Sequence, residues 1–251
     1  MVNRNLLNPP DALTELVRRA RFLLFDFDGP LVRLFTLGEA PGIAEQLAAR
    51  LEEALGHSAA GRFSDSVDPH GLVSGLRGAL RQWPGLDEPT IEELVQRCEL
   101  QLVEAERLAV RTAEITAGAE LLVAGLLRLS RWRLAVTSNN SALAIDDLLG
   151  EERARVFRSA FQGQVYGRHP DPDFMKPHPD CLNRALAGLG CEYPDQALLI
   201  GDSISDLEAA KQAGIPFLGY AATEAKVEAL MEAGARHVVR DLSRLLPTAL
   251  R

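Results

Sequence analysis

Apolar residues along this chain change their period twice. Residues 11–20 place them at helical spacing behind Pro9-Pro10, with Asp11 as the candidate N-cap. Phe22 to Phe25 then form a continuous apolar run, the pattern of a buried strand over about 22–27, and Gly29-Pro30 ends it. From about residue 35 to 113 the strand signal fades. Segments rich in Ala, Leu, Glu and Arg predict helices at 42–56, 71–82 and 88–112, broken near 56–61 and at Trp83-Pro84-Gly85. After about residue 115 alternation returns. Helices are predicted at 117–129, 141–149, 179–188, 204–213 and 224–233. Strands are predicted at 132–137, 197–201, 215–220 and 236–239, with a short extended piece in 161–166. Strand–helix alternation of this kind reads as an α/β fold, a parallel sheet with helices on both faces. The helical block is then an insertion after the first strand, dividing the chain into a core (1–34 and 114–251) and a helical domain (35–113).

Composition narrows the function classes. The 251 residues suit a large α/β domain with an insertion, able to bury a core without disulfides. A net charge of −8 and a pI near 5.2 argue against nucleic-acid binding by phosphate neutralisation. They leave a phosphorylated substrate open, because one metal and one lysine reverse the charge locally. Cys98, Cys181 and Cys191 are scattered and odd in number, so neither zinc nor a disulfide framework is expected. No signal peptide and no membrane-length apolar run is present, which makes the cytoplasm the expected location and a membrane partner unexpected. Asn139-Asn140-Ser141 matches a glycosylation sequon, with nothing else to suggest secretion.

The chemistry starts with two acids, Asp26 and Asp28, at the tip of an apolar strand. Buried carboxylates require neutralisation, and a divalent cation is the simplest neutraliser. Ligands of open parallel sheets bind beyond the carboxyl ends of the strands. The predicted strand at 132–137 runs into Ser138-Asn139, and that at 197–201 into Asp202-Ser203, with Asp206 four residues on. Lys176 joins from the loop Met175-Lys176-Pro177-His178-Pro179-Asp180, in which His178 is a loop position before proline.

These residues resemble the four motifs of the haloacid dehalogenase superfamily, in order: Asp26-Phe27-Asp28-Gly29-Pro30-Leu31, Ser138, Lys176 to Asp180, and Gly201 to Asp206. The helical block resembles the family's helical (C1-type) cap, and the resemblance implies a Rossmann-like core. It further implies that Asp26 is a nucleophile forming an aspartyl-phosphate and Asp28 the acid and base. Mg²⁺ is then held by Asp26, by Asp202 and by Asp28 through its backbone carbonyl. Ser138, Asn139 and Lys176 hold the phosphoryl group, and Asp206 supports Lys176.

In the family that the chain resembles, an acid two positions after the nucleophile, here Asp28, implies phosphate esters rather than carbon–halogen or phosphonate bonds. The expected partner is therefore a small phosphorylated metabolite, for a chain that is a monomer or homodimer. Phosphoglycolate phosphatase-like hydrolysis is the first reading. A β-phosphoglucomutase-like phosphomutase and a non-catalytic binding module are the alternatives. Pro30 departs from the threonine common in the first motif. In the helical block, the polar stretch 62–71 offers Arg62, Asp68 and His70 as substrate contacts, and Arg33 sits at the junction of the two parts.

Overall fold

The computed structural model describes residues 10–35, 39–56, 62–63 and 67–246, with residues 10–12 described by backbone alone. In chain order the elements begin with α1 (Pro10–Arg19), β1 (Phe22–Phe25), β2 (Val32–Arg33), α2 (Glu39–Leu55), α3 (Pro69–Arg81) and α4 (Glu88–Val110). β3 (Glu114–Ile115), α5 (Ala119–Leu129), β4 (Arg133–Thr137), α6 (Ala142–Gly150), α7 (Arg155–Phe161) and β5 (Val165–Tyr166) follow. The chain continues through α8 (Asp180–Leu189), β6 (Ala197–Gly201), α9 (Ile204–Ala213), β7 (Phe217–Tyr220), α10 (Glu224–Glu232) and β8 (Val238–Val239).

Six strands form one parallel sheet in the order β5-β4-β1-β6-β7-β8. The run Phe22–Phe25 is apolar at every position because both faces of β1 are covered. Leu23 and Phe25 face a core shared with α1, α5, α6 and α7, whereas Phe22 and Leu24 face one shared with α8, α9 and α10. β6 divides the same way, Leu198 and Ile200 against Ala197 and Leu199. This period-two division places helices on both faces, as the sequence predicts. Central position in the sheet also puts the carboxyl end of β1 between those of β4 and β6.

The helices α2, α3 and α4 have a separate core, built from Leu47, Leu51, Val73, Leu76, Leu80, Ile91, Val95 and Leu102, joined by Met175 from the loop before Lys176. The last turn of α4 crosses over: Ala109 and Val110 belong to the sheet core. The chain enters and leaves this helical block through β2 and β3, which pair antiparallel. Such short strands leave no readable pattern, and the sequence did not predict them.

Three further expectations change. Asp11 lies within α1 and not ahead of it. Residues 155–161, unassigned from sequence, are α7. Asp68 and His70 are not in a loop: Asp68 caps α3, accepting from the His70 N–H at 3.0 Å, with Pro69 at the first helical position. The expected break near 56–61 lies outside the described residues except for Gly56. Among the described residues no helix is long and apolar enough to cross a membrane.

Candidate active site

Asp26 follows β1 directly, and its N–H continues the ladder to Ile200 O at 2.9 Å. The next residues fold into a tight turn. Gly29 N–H donates to Val32 O, while Leu31 N–H and Val32 N–H both donate to Phe27 O. None of these bonds uses the nitrogen of residue 30, so Pro30 is accommodated without losing a donor. Gly29 has φ +103°, and a Cβ there would overlap the Asp202 carboxylate. The glycine is what allows Asp202 to close over the turn.

The lysine predicted from the loop reaches the strand ends. Lys176 Nζ donates to Asp26 Oδ1 at 2.9 Å, to Asp206 Oδ1 at 2.6 Å and to Thr137 O at 2.8 Å. All three donor directions of the ammonium are used, and its side chain is 2% exposed. Burial alone would lower the Lys176 ammonium, but the carboxylates of Asp206 and Asp26 outweigh it and push it up.

Asp206 serves two structures. Its Oδ2 accepts from the N–H groups of Asp202 and Ser203 and from Ser203 Oγ at 2.6 Å, completing a capping box on α9. Its Oδ1 holds Lys176. Gly201 makes room for it, because a Cβ there would come within 2.6 Å of Asp206 Cγ. Against burial, Lys176 and Ser203 keep this carboxyl below its ordinary range.

The other acids are pushed up. Burial raises Asp26, with Asp206 adding to the effect and Lys176 opposing it. Burial raises Asp202, and Lys226 opposes it through an ion pair to Asp202 Oδ2. Burial raises Asp28 to about 6, opposed by the Leu34 N–H, which donates to Asp28 Oδ1 at 2.8 Å.

Carboxylate oxygens of Asp26, Asp202 and Asp206 all lie within 4.8 Å of one another. This group is built from side-chain oxygens alone, whereas the expected metal set took Asp28 by its backbone carbonyl and had Asp206 orient Lys176. Both oxygens of Asp206 already accept from Lys176, Ser203 and Asp202. Asp26 and Asp202 are the members left to bind an added cation. Hard oxygen donors in a buried site with excess negative charge fit a small divalent cation.

On the β4 side, Ser138 is buried, donating from Oγ to Asn140 Oδ1 at 3.0 Å. Asn139, expected as a phosphate ligand, uses its side chain otherwise. Its Oδ1 accepts from Lys176 N–H at 2.7 Å and its Nδ2 donates to Lys176 O at 3.1 Å. Its amide therefore positions the lysine.

Asp26, Asp28, Ser138, Asn139, Lys176, Asp202 and Asp206 all line one cavity of about 1050 Å³ beyond the strand ends. The helical block contributes Asp68 and His70 to this cavity, and β2 contributes Arg33, paired to Glu114. Arg62 does not line it: its guanidinium lies over the Trp83 ring, 5.0 Å from the centroid.

Two buried residues that brace the cavity wall had no sequence signal. Glu106 on α4 and Arg168 after β5 have fully buried side chains. Arg168 Nη1 donates to Glu106 Oε1 at 2.6 Å and to Asn139 O at 2.5 Å, and its Nε donates to Glu99. Glu106 Oε2 accepts from Ser141 N–H at 2.9 Å, and its Oε1 lies 2.8 Å from His70 Nε2. Although burial acts to raise it, His70 and Arg168 hold the Glu106 carboxyl low. An ionised acceptor at that distance makes His70 Nε2 the donor. One buried carboxylate thus ties His70 to the loop after β4.

A protein-family profile described as haloacid dehalogenase-like hydrolase matches residues 21–214. Among curated proteins, none matches the chain. Solved structures share its fold. A predicted phosphatase from Clostridium acetobutylicum is 19% identical with a TM-score of 0.62, over 90% of this chain and 96% of that one. CbbY from Rhodobacter sphaeroides, crystallised with phosphate, is 21% identical with a TM-score of 0.58, over 92% and 98%. A hydrolase of the same family from Deinococcus radiodurans, with bound phosphate and sodium, is 21% identical with a TM-score of 0.54, over 90% and 93%.

Proposed function

Since the chain belongs to the haloacid dehalogenase-like hydrolase family, we propose that it is a Mg²⁺-dependent phosphatase acting on a small phosphorylated metabolite through an aspartyl-phosphate. The observation that carries the reading is Lys176, buried between Asp26 and Asp206 in the lining of the cavity. A lysine held as an ammonium beside a carboxylate is the electrostatic arrangement that phosphoryl transfer needs. The solved complexes of CbbY with phosphate, and of a CbbY mutant with xylulose-1,5-bisphosphate, support a phosphate ester as the substrate class.

In this reading Asp26 attacks phosphorus, and the bond from phosphorus to the leaving oxygen breaks. Asp28 gives its proton to that oxygen. It then takes a proton from water as the water attacks phosphorus, which frees phosphate and restores Asp26. An Asp28 carboxyl raised to about 6 and anchored by Leu34 N–H suits both proton transfers near neutrality. Lys176 takes a phosphoryl oxygen in exchange for its bond to Asp26 Oδ1 and Ser138 holds another, with Asn139 and Asp206 keeping the lysine in place. Asp26, Asp202 and the Asp28 carbonyl would hold Mg²⁺, which supplies charge neutralisation at the phosphoryl group. Residues 35–113 act as a lid domain that limits water and selects the substrate, with His70, Asp68 and Arg33 facing the leaving group.

Phosphate release from a panel of phosphorylated metabolites, with and without Mg²⁺, tests the proposal. Mg²⁺-dependent release by the wild-type protein and none by D26N is the expected result. No release from any ester would instead favour a non-catalytic module, and unchanged release by D26N would remove the nucleophile.

A further inference from the structure

Basic residues in this chain are almost all arginine: of 27, only Lys176, Lys211 and Lys226 are lysine. Two of these three reach catalytic acids. Lys176 holds Asp26 and Asp206, and Lys226 of α10 crosses the cavity rim to Asp202 Oδ2. The two differ in setting. The Lys176 side chain is 2% exposed with all its donors engaged, whereas Lys226 is 40% exposed, on a cavity wall, with space to swing. Lysine offers a compact charge on a flexible stem, unlike the planar fork of arginine. Of the two lysines, Lys226 is the one whose partly exposed stem lets its charge leave the carboxylate.

We infer that Lys226 is a built-in counter-ion of Asp202 that competes with the divalent cation for the same carboxylate. This rests on the reading that Asp26 and Asp202 hold the cation. Lys226 Nζ and the cation both need Asp202, one of two acids in the cluster with acceptor capacity left. When the cation binds, Lys226 leaves Asp202. Its ammonium then stands free in the cavity that Arg33 also lines, facing the anionic substrate. In the metal-free protein the same lysine limits the repulsion among buried acids.

Titration of Mg²⁺ into the full-length protein by calorimetry, comparing wild type with K226M, tests this. K226Q serves as a second variant if K226M folds poorly, and D202N defines loss of the site. K226M is expected to bind Mg²⁺ about tenfold more tightly, just under the range of a buried hydrogen bond between charged groups because Lys226 is 40% exposed. Amine-reactive labelling read by mass spectrometry gives an independent measure. Saturating Mg²⁺ should speed modification of Lys226 while leaving exposed Lys211 unchanged.

Equal or weaker Mg²⁺ affinity in a folded K226M overturns the inference, as does labelling of Lys226 that ignores Mg²⁺. If wild type binds Mg²⁺, D202N does not, and K226M matches wild type, only this inference fails. If no Mg²⁺ binds to the wild type or to K226M, the metal-dependent reading fails with it.

Discussion

Asn139 grips Lys176 from both sides of its backbone, accepting from the lysine N–H at 2.7 Å and donating to its carbonyl at 3.1 Å. The ends of two segments that are 37 residues apart in sequence are thereby fixed to each other. N139A removes both bonds, each worth about 0.5–1.5 kcal/mol. Urea denaturation should show a loss of about 1–3 kcal/mol. A lysine left free to shift should also lower kcat by roughly tenfold to a hundredfold, since each tenfold corresponds to about 1.4 kcal/mol. A wild-type kcat in N139A would show that the grip has no bearing on catalysis.

Lys176 is the sole cation among the described residues in ion-pair contact with either Asp26 or Asp206. Removing one partner of a buried pair is more damaging than removing both, because a bare charge stays behind. K176M should therefore cost about 3–5 kcal/mol of stability. The double variant K176M/D206N should recover part of that loss. Strict additivity of the two single changes would mean that the residues do not interact.

Burial raises the Asp28 carboxyl to about 6, above the 3.8 of an unburied aspartate. Between about pH 4 and 6 the folded protein thus binds more protons than the unfolded chain. Stability falls as pH rises through that window, and the loss is complete above it. D28N carries no such charge. In metal-free buffer with chelator, wild type should lose roughly 2 kcal/mol more than D28N between pH 4 and pH 7. Parallel stability–pH curves would refute an elevated Asp28.

Arg168 joins Glu99 and Glu106 of α4 to the backbone of Asn139 and Asn140, with its own side chain and that of Glu106 out of solvent. R168M leaves Glu106 buried without its guanidinium, at a cost of about 3–5 kcal/mol. The midpoint of thermal unfolding should drop, and the loop that carries Ser138 should lose a support. An unchanged midpoint would place the strength of this junction elsewhere, for instance in Arg77, which pairs with Glu92, Asp171 and Asp173.

Asp26, Asp28, Lys176, Asp202 and Asp206 were legible because each follows or closes a local pattern, an apolar strand run or a proline-bounded loop. The parallel sheet was legible for the same reason, since β1 and β6 are buried along their whole length and read as apolar runs, and β4 carries a buried apolar segment behind exposed Arg133. Glu106 and Arg168 were not. Glu106 sits in a helix full of charges, where a carboxylate reads as solvated; its burial arises from a partner 62 residues away. Lys226 reads as an ordinary lysine in the first turns of a helix, and nothing local in the sequence marks its pairing with Asp202. Asn139 was found, but its side-chain bonds to the Lys176 backbone were not, because sequence shows that an amide is near the site and not which groups it bonds. The strands β2 and β3, two residues each, are too short for any periodicity.

The central claim is that Asp26 carries the phosphoryl group between substrate and water. Acid-quenched turnover with Mg²⁺ and a substrate found in the panel, followed by peptide mass spectrometry, tests it most directly. The account predicts a single phosphoryl adduct on the peptide containing Asp26, present only during turnover and absent from D26N. Steady phosphate release by D26N, or an adduct on any residue other than Asp26, would contradict it.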